Sequence, residues 1–128
     1  MKRVTGIGGV FFKSKDPKAL SAWYHKHLGI PLESWGGAVF RWQSPDNPSG
    51  VGSTVWSPFA ETTSYFGGGD SQFMLNFRVH DLRALLTQLR EEGCLVDDKI
   101  DESELGLFGW ITDPEGRRIE LWQPPEGR

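Results

Sequence analysis

The sequence predicts an α+β domain built from two βαβββ modules whose curved mixed sheets form a cup. Two observations carry that expectation. A capped amphipathic helix signal occurs twice, Asp16 matching Asp81 and Gly29 matching Gly93 at offsets of 65 and 64 residues, and a repeat of that length means two similar modules. Each helix signal also follows one strand-like segment and precedes three.

Module one is expected over about 4–58, a linker over about 59–71 and module two over about 72–124. The leading strand is Val4–Lys13. Asp16 is a credible N-cap, and Pro17 suits the first helical position. Leu20, Trp23, Tyr24, His27 and Leu28 then form an apolar stripe that ends at Gly29. Three strands are expected next, at Ile30–Trp35, Ala38–Trp42 and Val51–Ser57, the last two separated by the turn-rich Ser44–Gly50. The loop Thr62–Ser71, with Gly67-Gly68-Gly69, joins the halves. Strand Gln72–His80 opens the second module. Asp81 caps a helix striped by Leu82, Leu85, Leu86 and Leu89 that runs to Glu92 and stops at Gly93. Strands at Leu95–Ile100, Phe108–Thr112 and Arg117–Gln123 close the chain, the last two joined by the hairpin signal Asp113-Pro114-Glu115-Gly116.

Alternation assigns faces. Val10, Phe12, Leu75, Phe77, Val79, Ile119 and Leu121 should pack under the helices. Gly9, Phe11, Lys13, Met74, Asn76, Arg78, Arg118, Glu120 and Trp122 then share the opposite face. A face mixing aromatics, amides and charges makes poor core and a good pocket wall.

Composition narrows the function. At 128 residues and 38% apolar content, the chain can fold without a structural metal or disulfide. Cys94 is the only cysteine and reads as a small buried hydrophobe. The N-terminal charges precede no apolar core of a signal peptide, and no run approaches the ~20 apolar residues of a membrane span, so a cytoplasmic location without membrane contact is expected. A net charge of −3 with dispersed Lys and Arg argues against a nucleic-acid surface. Six tryptophans exceed what a small core absorbs, so some should line a cavity.

Two apparent motifs fail. His25 and His27 sit about 200° apart around a helix, too far to share a metal ion. Gly6-Ile7-Gly8-Gly9 opens a strand where a dinucleotide fingerprint would open a helix.

The stretch Gly8-Gly9-Val10-Phe11-Phe12 leading to Asp16-Pro17, with Trp23-Tyr24 and Leu28-Gly29, resembles the vicinal oxygen chelate superfamily of glyoxalases, bleomycin-resistance proteins and ring-cleaving dioxygenases. Phe77-Arg78-Val79-His80-Asp81-Leu82 and the closing Asp113-Pro114-Glu115-Gly116-Arg117-Arg118-Ile119-Glu120-Leu121 extend the likeness over nearly the whole chain. The resemblance implies a cup, a homodimer and, in metal-dependent members, a divalent ion held by residues of the first, fourth, fifth and eighth strands. Here those positions fall on Gly9, on Thr54 or Trp56, on Met74 and on Glu120. Glycine offers no donor, a thioether is a poor ligand for such ions, and a catalytic metal needs about three protein ligands. No cofactor is therefore expected.

The resulting expectation is a metal-free protein binding a flat, partly apolar small molecule with a polar or acidic group. Phe11, Trp56, Trp110 and Trp122 would supply the walls, Asn76 or Arg78 would orient the polar end, and Glu120 would set pocket polarity. The alternative is a lyase, isomerase or dioxygenase-like enzyme, with an atypical divalent metal site or with Glu120 as base.

Overall fold

In the computed structural model, residues 3–44, 47–68 and 70–126 are described, with the backbone alone at 44 and 47–51. The elements run β1 (Val4–Ser14), α1 (Pro17–Leu28), β2 (Ala38–Ser44), β3 (Asn47–Ala60), β4 (Phe73–Val79), α2 (Leu82–Glu91), β5 (Leu95–Ser103), β6 (Gly106–Thr112) and β7 (Arg118–Gln123). The strands form one curved mixed sheet of seven, ordered β2-β3-β1-β4-β7-β6-β5. β1 pairs parallel with β3, and β4 pairs parallel with β7. Antiparallel pairing of β1 with β4 joins the two halves. The sequence repeat therefore reappears as a repeat of pairing.

Both helix starts follow from their caps. Asp16 accepts a hydrogen bond from the Ala19 amide and Asp81 one from the Ala84 amide, satisfying donors that a helix start leaves free. Gly29 closes α1 at φ 70°, a left-handed conformation that glycine adopts without penalty. No helix among the described residues is long and apolar enough to cross a membrane.

Three expectations about the first half need correction. The segment Ile30–Trp35 forms a single bridge, Leu32 to Ala38, in place of a strand. Pro31 lacks an amide donor, and the chain turns back at once, with Glu33 N–H on the Gly37 carbonyl at 2.8 Å and Gly36 at φ 100°. The Ser44–Gly50 loop is instead mostly strand, since β2 and β3 pair as far as Ser44 with Asn47; Pro45 and Asp46 lie outside the described residues, as does Gly69 of the linker. The stripe of α1 is also rotated. Ser21 is its buried residue and bonds the Gly36 carbonyl at 2.7 Å, while Trp23 and Leu28 are 52% and 63% exposed. Tyr24 meets the sheet, its ring 5.0 Å from that of Trp56.

The second module packs as its pattern implies. Leu82, Leu85 and Leu86 of α2 are buried against Val79 and Leu121. On the other face of the sheet Phe11, Phe66, Met74 and Trp110 form a separate buried cluster. Phe66 comes from the linker, so the loop contributes a buried side chain to this cluster. Cys94 is exposed, contrary to expectation: it follows Gly93 in the turn after α2 and precedes β5, which lies at the edge of the sheet.

Candidate functional site

The concave face holds a cavity of about 690 Å³ whose lining includes Phe11, Phe59, Tyr65, Phe108, Trp122 and Glu120. Strand register puts these together. Asn76 of β4 is the lateral partner of both Gly9 on β1 and Glu120 on β7, so the central strands bring a carboxylate and an amide side by side at the floor.

Glu120 is 2% exposed. Asn76 Nδ2 donates to its Oε1 at 2.6 Å, and Trp110 Nε1 donates to its Oε2 at 3.0 Å. The Tyr65 hydroxyl donates to the same Oε2. All three donors are neutral, and among the described residues no Lys or Arg forms an ion pair with this carboxylate. Burial pushes the Glu120 carboxyl above the usual glutamate range, against the pull of those hydrogen bonds and of Arg118. Burial also pushes the Tyr65 hydroxyl up, and the charge of Glu120 adds to that. Tyr65 is therefore the proton-bearing partner of the pair.

The walls are aromatic. Phe108 stacks on Trp122 at 6.0 Å between centroids and 8° between planes, and Tyr65 stacks on Phe59 at 5.7 Å and 14°. The Trp122 indole N–H is spent on the Leu105 carbonyl at 2.7 Å, which fixes its ring as a flat wall. The Arg78 guanidinium lies 5.5 Å from the Trp42 ring and 5.3 Å from that of Trp122 and donates to Oγ of the lining residue Ser53 at 3.4 Å.

Of the residues singled out from sequence, Phe11, Asn76, Glu120 and Trp122 line the cavity. Trp110 is placed differently: it is 2% exposed, packs in the buried cluster with Phe11, Phe66 and Met74 and serves as a donor to Glu120. Arg78 is held between two indoles and does not line the cavity. Trp56 is a correction. It opposes Val10 in the register and packs against Phe12 and Tyr24 on the helix side. The open choice between Thr54 and Trp56 falls the same way, because the strand residue beside Gly9 on the concave face is Val55. Parity along β3 is thus one residue off the expected register.

Tyr65 escaped notice in the sequence because it sits in a loop with no strand or helix period. Its only signal was a pair of aromatics, Tyr65-Phe66, immediately before a run of glycines.

The positions at which metal-dependent members of the resembled superfamily hold an ion present Gly9, Val55, Met74 and Glu120. Among the described residues no three His, Cys, Asp or Glu side chains gather in a way that could hold a metal ion. With one carboxylate already accepting from three neutral groups, this donor set does not fit a divalent metal.

Repeated strand–helix modules curling one mixed sheet around an open cavity make a glyoxalase-like fold. The chain belongs to the glyoxalase-like domain family, whose sequence model matches residues 9–122. Among solved structures it is similar to a methylmalonyl-CoA epimerase from Mycobacterium tuberculosis, with TM-score 0.63 and 22% identity over 98% of this chain and 91% of that one. A Streptomyces coelicolor methylmalonyl-CoA epimerase variant in complex with 2-nitronate-propionyl-CoA matches with TM-score 0.69 and 16% identity over 94% and 98%. A glyoxalase/bleomycin resistance protein/dioxygenase superfamily member from Vibrio splendidus 12B01 matches with TM-score 0.55 and 12% identity over 96% and 99%. At such identities the likeness is one of fold. No curated protein matches the sequence.

Proposed function

We propose that the cup binds a flat, partly apolar small molecule without a metal ion. The observation that carries this reading is the pairing of aromatic walls, Phe11, Phe59, Phe108 and Trp122, with one buried polar group, Glu120, in a cavity of about 690 Å³. Small-molecule sites have this make-up: apolar walls for affinity and a few polar atoms for orientation. Calorimetric titration with 1-naphthylmethanol, a neutral flat probe, should give saturable binding. Trp122→Ala and Phe108→Ala should each weaken it about tenfold, the equivalent of ~1.4 kcal/mol. Affinity unchanged in both variants would overturn this assignment of the walls.

A second reading has one observation in its favour. A carboxyl displaced toward neutrality by burial, with a tyrosine hydroxyl on the same oxygen, suits proton abstraction from carbon. Methylmalonyl-CoA incubated with the protein in deuterium oxide tests it directly, since enzymatic exchange of the α-hydrogen, abolished by Glu120→Gln, would make the protein an isomerase-type enzyme.

The protein is further proposed to be a homodimer. Trp35 and Leu105 line the cavity yet are 54% and 53% exposed, and Phe40 is 40% exposed. Large exposed apolar side chains of this kind mark interaction surfaces when they form one patch. Light scattering should return twice the 14.4 kDa chain mass, and a monomer mass across working concentrations would exclude the pairing.

A further inference from the structure

We propose that the cup floor is a site for an organic cation, a protonated amine or amidine carried on a flat apolar body. The proposal rests on the cup being a small-molecule site and names the chemical class that the site takes.

The floor offers acceptors. Glu120 is buried with neutral donors only, and Arg118, the cation that acts on it through space, is bound to Asp97 at 2.7 Å. A buried carboxylate with no cation in direct contact is costly, and an incoming cation relieves that cost. Asn76 adds a second acceptor. Its amide N–H donates to Glu120, while its Oδ1 is buried with no hydrogen-bond partner. That oxygen faces the bare backbone of Gly8, another lining residue, where an added Cβ would stand only 2.1 Å away. Because the donor end of Asn76 is occupied, the amide cannot receive the acidic group that the sequence suggested. An anion at this floor would meet a carboxylate and an orphaned carbonyl.

The walls favour the same charge. The ring faces of Phe59, Tyr65 and Phe108 carry negative π density, which attracts cations within about 6 Å of a ring centroid, whereas Trp122 already holds the Arg78 guanidinium at 5.3 Å. The rim carries one charge of each sign, Arg41 and Glu33, and does not select between them. Access is provided by Tyr65. It belongs to the linker and is 37% exposed, whereas Trp110 and Asn76 are 2% and 1% exposed on strands. Its hydroxyl is therefore the donor on Glu120 Oε2 that an ammonium group displaces most readily.

A matched set of probes tests the charge separately from the shape: 1-naphthylmethylamine, 1-naphthylmethanol and 1-naphthoate, titrated calorimetrically at pH 7.5. The amine should bind at least about tenfold more tightly than the alcohol, equivalent to ~1.4 kcal/mol, and the carboxylate most weakly. Glu120→Gln should abolish the preference, with the amine and the alcohol binding that variant equally. Tyr65→Phe, which removes the competing hydroxyl and keeps the aromatic ring, should strengthen amine binding several-fold and keeps the test open if the Gln variant fails to fold. Binding of the alcohol with no preference for the amine, or tighter binding of the carboxylate, overturns the cation assignment and leaves the small-molecule site standing. Binding of none of the three overturns both.

Discussion

Glu120→Ala is expected to destabilise the fold by about 3–5 kcal/mol, because it strands the Asn76 and Trp110 donors and opens a cavity between them. Glu120→Gln should stay within about 1 kcal/mol of the parent at neutral pH. Its carbonyl can still accept from Tyr65 and Trp110, and its amide can donate to Asn76 Oδ1 once the Asn76 side chain turns over. Asn76 Oδ1 is the buried acceptor that now lacks a partner, so the exchange pairs that oxygen and frees the Asn76 amide donor in its place, leaving the number of satisfied groups unchanged. The pH dependence separates charge from shape. The Glu120 carboxyl is raised above its ordinary value by burial, so the folded state binds its proton more tightly than the unfolded chain does. Its contribution is fully present below the unfolded value and is lost as pH rises through the folded one. Urea denaturation of parent and Gln variant across that interval should show the parent losing stability relative to the variant as pH increases. Parallel curves would mean that Glu120 does not titrate differently in the fold.

The same network shows where sequence reasoning reached and where it stopped. The helix caps, the glycine stops and the cup-facing positions of β4 and β7 were legible, because each rests on local chemistry or on period-two alternation from a well-marked strand. Glu120, Asn76, Phe11 and Trp122 were found that way. Trp56 was misplaced because alternation has no origin of its own. The strand was started from the wrong parity, after a loop that proved to be strand, and every side chain along it changed face. Tyr65 was invisible for a different reason: loops carry no period, and its role depends on a contact with a residue 55 positions away. The exposed Trp23 shows the limit of a helical stripe, which fixes which residues lie together but not which of two adjacent stripes the sheet accepts.

Trp110→Ala should cost about 3–5 kcal/mol, the range for emptying a large aromatic from a core, since the indole is 2% exposed among Phe11, Phe66 and Met74. The side chain does two jobs, and Trp110→Phe divides them. Phenylalanine keeps most of the packing and a ring face for the Arg118 guanidinium, now 5.1 Å from the indole centroid, but it removes the N–H that bonds Glu120 at 3.0 Å. Its cost should be about 1–3 kcal/mol, the penalty for leaving a buried polar group short of a partner. That cost should also depend on pH. The lost donor favours the ionised carboxylate, so its removal raises the Glu120 carboxyl further and widens the interval over which stability falls as pH rises. Denaturation of Trp110→Phe should therefore show a deficit that grows from acid to neutral pH, whereas the additional loss in Trp110→Ala, being emptied volume, should be the same at every pH. A Phe variant with a constant deficit would place Trp110 in the packing of the floor alone and remove it from the set of groups that tune Glu120.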